Sequence, residues 1–180
     1  MELLAATPHL GIDKRLGAYC ARSMASDREP IPTWYFALVV VRRGVDEFLV
    51  VHERKHGQRF YFPAGRAEVG ETLQEAALRE TKEEAGIDIT LEGVLRFEHS
   101  PSPDGTARVR VIFAARPTNP SAPLKSVADE HSLGARWVRL SELDSLPLRG
   151  DDVREVFNAV ANGHHVTPLS SLADERDSWG

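Results

Sequence analysis

The stretch from Gly65 to Ile87, GRAEVGETLQEAALRETKEEAGI, limits what this chain can fold into more than any other part of it. Thr72 and Glu75 form a T-x-x-E capping box, and Gly86 stands where a left-handed residue ends a helix, so the spacing predicts a helix over 73–85. At about 100° per residue, Leu73, Ala77, Glu80 and Glu84 share one stripe. Ala76 and Ile87 flank it on one side, and Leu78, Thr81 and Ala85 on the other. Glu75, Arg79 and Lys82 fall on the opposite, solvated side, with Glu83 at the border. Two carboxylates therefore lie inside an apolar face.

Burying a carboxylate without a partner costs on the order of several kcal/mol, or else the group neutralises. A divalent cation resolves the conflict, because oxygen ligands spaced i, i+3 and i+4 converge on one side of a helix and suit Mg²⁺ or Mn²⁺ shared with phosphate. The competing reading is a Glu/Lys-rich surface helix held by internal ion pairs. The wider spacing weighs against it. The stretch fits G-x5-E-x7-R-E-U-x-E-E-x-G-U, where U is aliphatic, at Gly65, Glu71, Arg79, Glu80, Glu83, Glu84 and Gly86. It thus resembles the Nudix box. Thr81 departs mildly from the first U, although its methyl group can still pack. Pro63-Ala64 stands before the box where many relatives have Pro-Gly or Gly-Gly, which suggests a subfamily-specific phosphate loop.

The chain's 180 residues, 42% of them hydrophobic, suit one domain. The net charge is −5, of which the box supplies −3, and this argues against a nucleic-acid binder and for a local need for cations. A single cysteine, Cys20, cannot form an internal disulfide and suits a reducing cytoplasm. Neither a membrane span nor a signal peptide is indicated. Residues 1–32 read as an extension, 33–163 as the catalytic domain and 164–180 as a loose polar tail in which His164 and His165 are solvated.

Within the domain, WYFALVVVRR from residue 34 reads as a strand buried on both faces, and a turn at 44–47 leads into FLVVHER. The next segment carries Lys55, Arg59 and Arg66 towards the box, as candidates for contact with phosphate. Residues 91–100 and 106–117 read as two strands joined through a turn. Arg108 and Arg110 share a face that either lines a cleft or is exposed sheet surface. The proline-bearing loop 117–128 is long enough to cover a site. ARWVRL reads as a strand, Ser141 and Asp144 as caps of a short helix, and Val153, Val156, Phe157 and Val160 as one face of a second helix stopped at Gly163.

The resemblance implies an α/β fold, a Nudix-type α/β/α sandwich with a mixed β-sheet, and hydrolysis of a nucleoside diphosphate linked to another group. It implies Mg²⁺ or Mn²⁺ held by Glu80, Glu83, Glu84 and the Gly65 carbonyl, with Glu71 and Arg79 as the pair that fixes the loop on the helix. Relatives differ in whether the base is a box glutamate or a carboxylate from a distant loop. Here Glu83 and Glu80 stand for the first, and Glu130 of Asp129-Glu130-His131 for the second. A structural reading, in which that acidic run caps a turn, has equal standing. Phe60 and Trp137 are candidates for contact with the base, along with Tyr35, Tyr61 and Phe62, although strand aromatics are more often core.

YFPAGRAEVGET, WVRLSEL and PLRGDDV are similar to a narrower Nudix group that dephosphorylates oxidised guanine nucleoside diphosphates. That similarity implies a substrate-site role for Arg149. Two alternatives stay open, an ADP-ribose or nucleotide-sugar pyrophosphatase and a nucleotide-sensing domain without catalysis. The expected partner is a small nucleotide, with no nucleic acid or membrane, and a homodimer is compatible with the sequence.

Overall fold

The computed structural model describes residues 30–178. The expected extension lies almost wholly outside this range, as does Cys20. Seven strands run in chain order: β1 (Thr33–Arg43), β2 (Glu47–Glu53), β3 (Phe60–Tyr61), β4 (Ala64–Arg66), β5 (Ile89–Pro101), β6 (Ala107–Pro117) and β7 (Ser132–Arg139). Helix α1 (Leu73–Ala85) lies between β4 and β5, and α2 (Asp152–Ala161) follows β7. The main order is β3-β2-β1-β6-β5, with β4 added to β1 and β7 to β2. Because β1 runs parallel to β6 while β2, β4 and β5 join antiparallel, the sheet is mixed.

Strand alternation builds two cores. Ala37, Val39 and Val41 of β1, with Val111 and Phe113 of β6, pack under Ala76, Ala77 and Ala85 of α1. The intervening Leu38, Val40 and Ile112 turn to the other face, where Val153 and Phe157 of α2 close the layer. This is the α/β/α sandwich. β1 is buried on both faces only from Ala37 to Val41; Trp34 and Tyr35 are exposed.

Helix α1 has the expected ends. Thr72 accepts from the Glu75 amide, Glu75 caps the Thr72 amide, and Gly86 is left-handed with φ 79°. Its buried face is narrower than the sequence pattern indicates. Small residues bring the helix close to the sheet and leave Leu78 exposed, where a flank of the buried face was expected. Thr81 is fully buried, and its hydroxyl donates to the Ala77 carbonyl at 2.8 Å, so the departure from an aliphatic residue leaves no polar group unpaired. Arg79 is not solvated as predicted but is drawn into a carboxylate cage.

Two further expectations are corrected. The short helix after β7 is a 3-10 turn, Leu140–Ser145, and it begins at Arg139, whose amide donates to Glu142. Ser141 does not cap it. The segment after α2 is not wholly loose: Thr167 exchanges backbone hydrogen bonds with Val94, and Leu169 and Leu172 pack on the α1-side core. A Cβ on Gly93 would come within 2.4 Å of the Thr167 oxygen, so that glycine makes the docking sterically feasible. His164 and His165 are exposed.

Candidate active site

A cleft of about 570 Å³ gathers the groups that carry chemistry. One end is built by β4 and α1. Ala64 donates its amide to Glu84 Oε2 at 3.0 Å, and a Cβ on Gly65 would fall 1.8 Å from the Glu80 carboxyl carbon. Gly65 is therefore required by the close approach of Glu80 to the β4 backbone. Both carboxyls are unfavourably placed as anions. Burial pushes Glu84 up to about 8, with the charges of Glu80 and Glu53 adding to the effect while the Ala64 hydrogen bond opposes it. Burial also raises Glu80, against the pull of Arg79.

Arg79 ties this end together. It donates to both oxygens of Glu71 at 2.8 and 2.9 Å, to Glu80 at 2.8 Å, to Glu83 at 3.0 Å and to the Arg66 carbonyl at 3.1 Å. Glu71 also accepts from the Glu68 amide, which closes the loop before the helix. Glu80 and Glu84 line the cleft; Glu83 does not, since Arg79 holds it and His131 Nδ1 stands 3.6 Å away.

The opposite wall is cationic. The β1–β6 register sets Arg108 beside Trp34 and Arg110 beside Phe36, so both guanidiniums line the cleft rather than plain sheet surface. Arg108 lies 5.2 Å over the Phe36 ring and forms no ion pair among the described residues. Arg110 stands near Glu98 and Asp152, at 3.1 and 3.6 Å. Arg149 lies 4.6 Å over the Tyr61 ring and donates to Glu53 Oε1 at 2.9 Å. Lys55 reaches the same cleft from a strained turn in which His56, Gly57 and Gln58 all have positive φ.

The family model of the NUDIX domain matches residues 34–159. The chain belongs to the Nudix family. Its relatives include the 8-oxo-dGDP phosphatase NUDT18 of Homo sapiens, 39% identical over 129 residues that make up 71% of this chain and 38% of that protein. They also include Phosphatase NudJ of Escherichia coli O1:K1 / APEC, 35% identical over 132 residues, 71% of this chain and 83% of that one. The chain spans little more than a third of the length of the first curated relatives it matches. Among solved structures, a NUDIX hydrolase from Nitrosomonas europaea superposes with a TM-score of 0.64 at 25% identity, covering 82% of this chain and 99% of that one.

In this Nudix chain the remaining candidates divide. In the acidic loop, Asp129 caps its turn: its Oδ1 accepts from the His131 and Ser132 amides and its Oδ2 from Lys125, which together hold its carboxyl well below the usual range. Glu130 projects into the cleft. The loop is fastened to the end of α1 by Lys125 N–H to the Ala85 carbonyl at 2.9 Å and Ser132 Oγ to the Glu84 carbonyl at 2.6 Å. The proline-bearing part of the loop does not line the cleft.

Four expected substrate contacts lie elsewhere. Trp137 pairs in register with Leu49 and so packs on the α1-side core, with the Arg43 guanidinium 4.4 Å over its ring. Phe60 stacks on His52 with ring centroids 4.7 Å apart. Arg59 and Arg66 are exposed outside the cleft.

Sequence reading also missed Glu53. At the end of β2 it continues the alternation of Leu49 and Val51 towards the α1 side, where it lines the cleft; the register shift beside it lies in β7, which skips Leu133 between Gly134 and Ser132. Asp152 was missed as well. It accepts from the Tyr61 hydroxyl at 2.7 Å, and burial with this bond keeps the phenol well above its ordinary range. Only the contact across 91 residues reveals that pairing.

Proposed function

We propose that this chain hydrolyses the anhydride of a nucleoside diphosphate, with an oxidised guanine nucleoside diphosphate as the preferred substrate and a nucleoside monophosphate plus phosphate as the products. The observation that carries the reading is one cleft with Glu80, Glu84 and Gly65 at one end and Arg108, Arg110, Arg149 and Lys55 on its walls. Similarity to the human 8-oxo-dGDP phosphatase NUDT18 supports the substrate.

The acidic end fits a hard divalent cation. Two buried carboxyls that repel one another, one of them pushed up to about 8, lose that conflict when a cation sits between them. Among the described residues no three His, Cys, Asp or Glu side chains converge on one point, so the protein would supply part of the shell and leave the rest to phosphate and water, as suits Mg²⁺ or Mn²⁺. Glu80 and Glu84 would hold it, with Gly65 beside them and Glu83 joining only if Arg79 releases it. When bound, the ion neutralises phosphate charge and favours attack by water.

The chain's own groups supply binding, orientation and proton transfer. Arg108, without a carboxylate partner among the described residues, and Lys55 bind phosphate oxygens, while Arg149 on Tyr61 offers a flat surface for the nucleoside. Arg79 and Glu71 fix the loop that presents Gly65. Glu130, from the loop clasped to α1, accepts the proton of the attacking water. The water oxygen joins one phosphorus, the bridging P–O bond breaks, and the monophosphate and phosphate leave. The single cysteine speaks for a reducing compartment such as the cytoplasm.

The test is a substrate panel with Mg²⁺ and with Mn²⁺: guanine nucleoside di- and triphosphates with and without an 8-oxo group, ADP-ribose, UDP-sugars, dinucleoside polyphosphates, NADH and coenzyme A. The highest kcat/KM is expected for the 8-oxo diphosphate. ADP-ribose about tenfold above every oxidised nucleotide would instead assign a pyrophosphatase, by the ratio that defines specificity. Binding without turnover across the panel would assign a sensing domain.

A further inference from the structure

Glu53, in the cleft, carries a buried carboxylate oxygen with no hydrogen-bond partner among the described residues. Glu53 Oε1 is engaged twice, by Arg149 Nη1 at 2.9 Å and by His56 Nδ1 at 3.2 Å. Glu53 Oε2 is buried and accepts no hydrogen bond from any described residue. The side chain is only 13% exposed, and it lines the same cleft as Glu80, Arg108 and Arg149.

We propose that Glu53 is a specificity-determining residue whose Oε2 accepts a hydrogen bond from an N–H or O–H of the nucleoside part of the substrate. The inference rests on the nucleotide reading above. A carboxylate oxygen takes either a cation or a hydrogen-bond donor; among the described residues Glu53 does not converge with Glu80 and Glu84 on one metal position, so what completes it is a donor. Phosphate oxygens are themselves acceptors and anionic, and a second anion is repelled from this position. The donor therefore belongs to the sugar or the base. Two sources share this chemistry. A sugar hydroxyl is one. The other is a purine N–H, and oxidation at C8 creates such a donor, since N7 is an acceptor in guanine and carries a proton in the 8-oxo form. Arg149, held over the Tyr61 ring by the other oxygen of the same carboxylate, sets the surface against which that nucleoside lies. The turn after β2 keeps the residue in place, since the Glu53 amide donates to the Arg59 carbonyl at 3.0 Å across the strained 56–58 segment.

Glu53→Gln tests this with nearly constant volume. The amide oxygen faces the Arg149 donor, so the amide NH2 takes the Oε2 position and presents a donor to a donor. The variant and the unchanged protein are compared on four Mg²⁺-loaded reactions: guanine and 8-oxo-guanine deoxynucleoside diphosphates, each with and without the 3′-hydroxyl. Binding of the corresponding monophosphates by calorimetry is the second readout.

The expected result is a loss of about tenfold in preference for whichever donor Glu53 reads, the size of one hydrogen bond to a charged group, seen in KM and Kd with kcat little changed. Loss of the 8-oxo preference identifies N7–H as the donor, and loss of the 3′-hydroxyl preference identifies the sugar. An equal fall on all four compounds would show that Glu53 only anchors Arg149 and would overturn the proposal, as would no change on any of them. If the unchanged protein cleaves none of the four, the nucleotide reading itself fails, a result distinct from either outcome for the variant.

Discussion

Glu84→Gln is expected to lower kcat by about 10²- to 10³-fold while leaving the fold intact, the cost typical of deleting one preorganised charge at a reacting centre. The amide keeps the volume and can still accept from the Ala64 amide at the position of Oε2. What it loses is the negative charge that would hold a cation. The same substitution should make the metal-free protein more stable at alkaline pH. Folding raises the Glu84 carboxyl from an ordinary value near 4.5 to about 8. Between those values the folded state binds more protons than the unfolded state, so stability falls as pH rises through this window, by at most about 1.4 kcal/mol per pH unit. Glutamine removes that slope. Thermal melts in EDTA at pH 5 and pH 8 should show the variant matching the unchanged protein at the lower pH and exceeding it at the higher. A variant that melts lower at both pH values would mark Glu84 as a structural residue.

The second large effect is expected at Arg79. Its guanidinium makes two hydrogen bonds to Glu71 and one each to Glu80 and Glu83, and those carboxylates hold it charged more firmly than usual. Removing it leaves Glu80 half-buried beside Gly65 with no cation against it, and frees the loop that Glu71 fastens. Arg79→Ala should cost about a hundredfold in kcat, as a displacement near 1 Å does. Glu71→Ala should do comparable damage, and the double variant should be little worse than either. A coupling of about 1–3 kcal/mol is expected of residues in one network. Arg79→Lys should not rescue, because an ammonium cannot span the two Glu71 oxygens as a planar fork does. Additive losses in the cycle would reject the view that Arg79 and Glu71 act as a unit.

The elements that could be read from the sequence are those whose signal is local. The capping box and the left-handed Gly86 set both ends of α1, and alternation in β6 put Arg108 and Arg110 on one face, because helix caps and the strand period depend on residues a few positions apart. The box also put Glu80 and Glu84 together with Gly65, since a single turn and a single helix carry all three. What escaped depends on long-range register. Trp137 and Phe60 are aromatic strand residues, and only the pairings Leu49 with Trp137 and His52 with Phe60 show that neither faces the cleft. Glu53 continues the alternation of Leu49 and Val51, but that this end of β2 borders the cleft beside Glu80 and Arg149 depends on how the distant elements pack. Asp152, in the first turn of α2, meets Tyr61 only once the sandwich has closed. The docking of Thr167 on Val94 was hidden by its polar surroundings.

The proposed function requires that a divalent cation, held at the Glu80 and Glu84 end of the cleft, support hydrolysis of a nucleoside diphosphate anhydride. Phosphorus-31 NMR of the full chain with an 8-oxo-guanine nucleoside diphosphate tests it directly. With Mg²⁺ the two diphosphate resonances should give way to equal amounts of nucleoside monophosphate and inorganic phosphate, the conversion should stop in EDTA, and added Mg²⁺ or Mn²⁺ should restore it. Cleavage that continues undiminished in EDTA, or a diphosphate left intact in the presence of both metals, would contradict it.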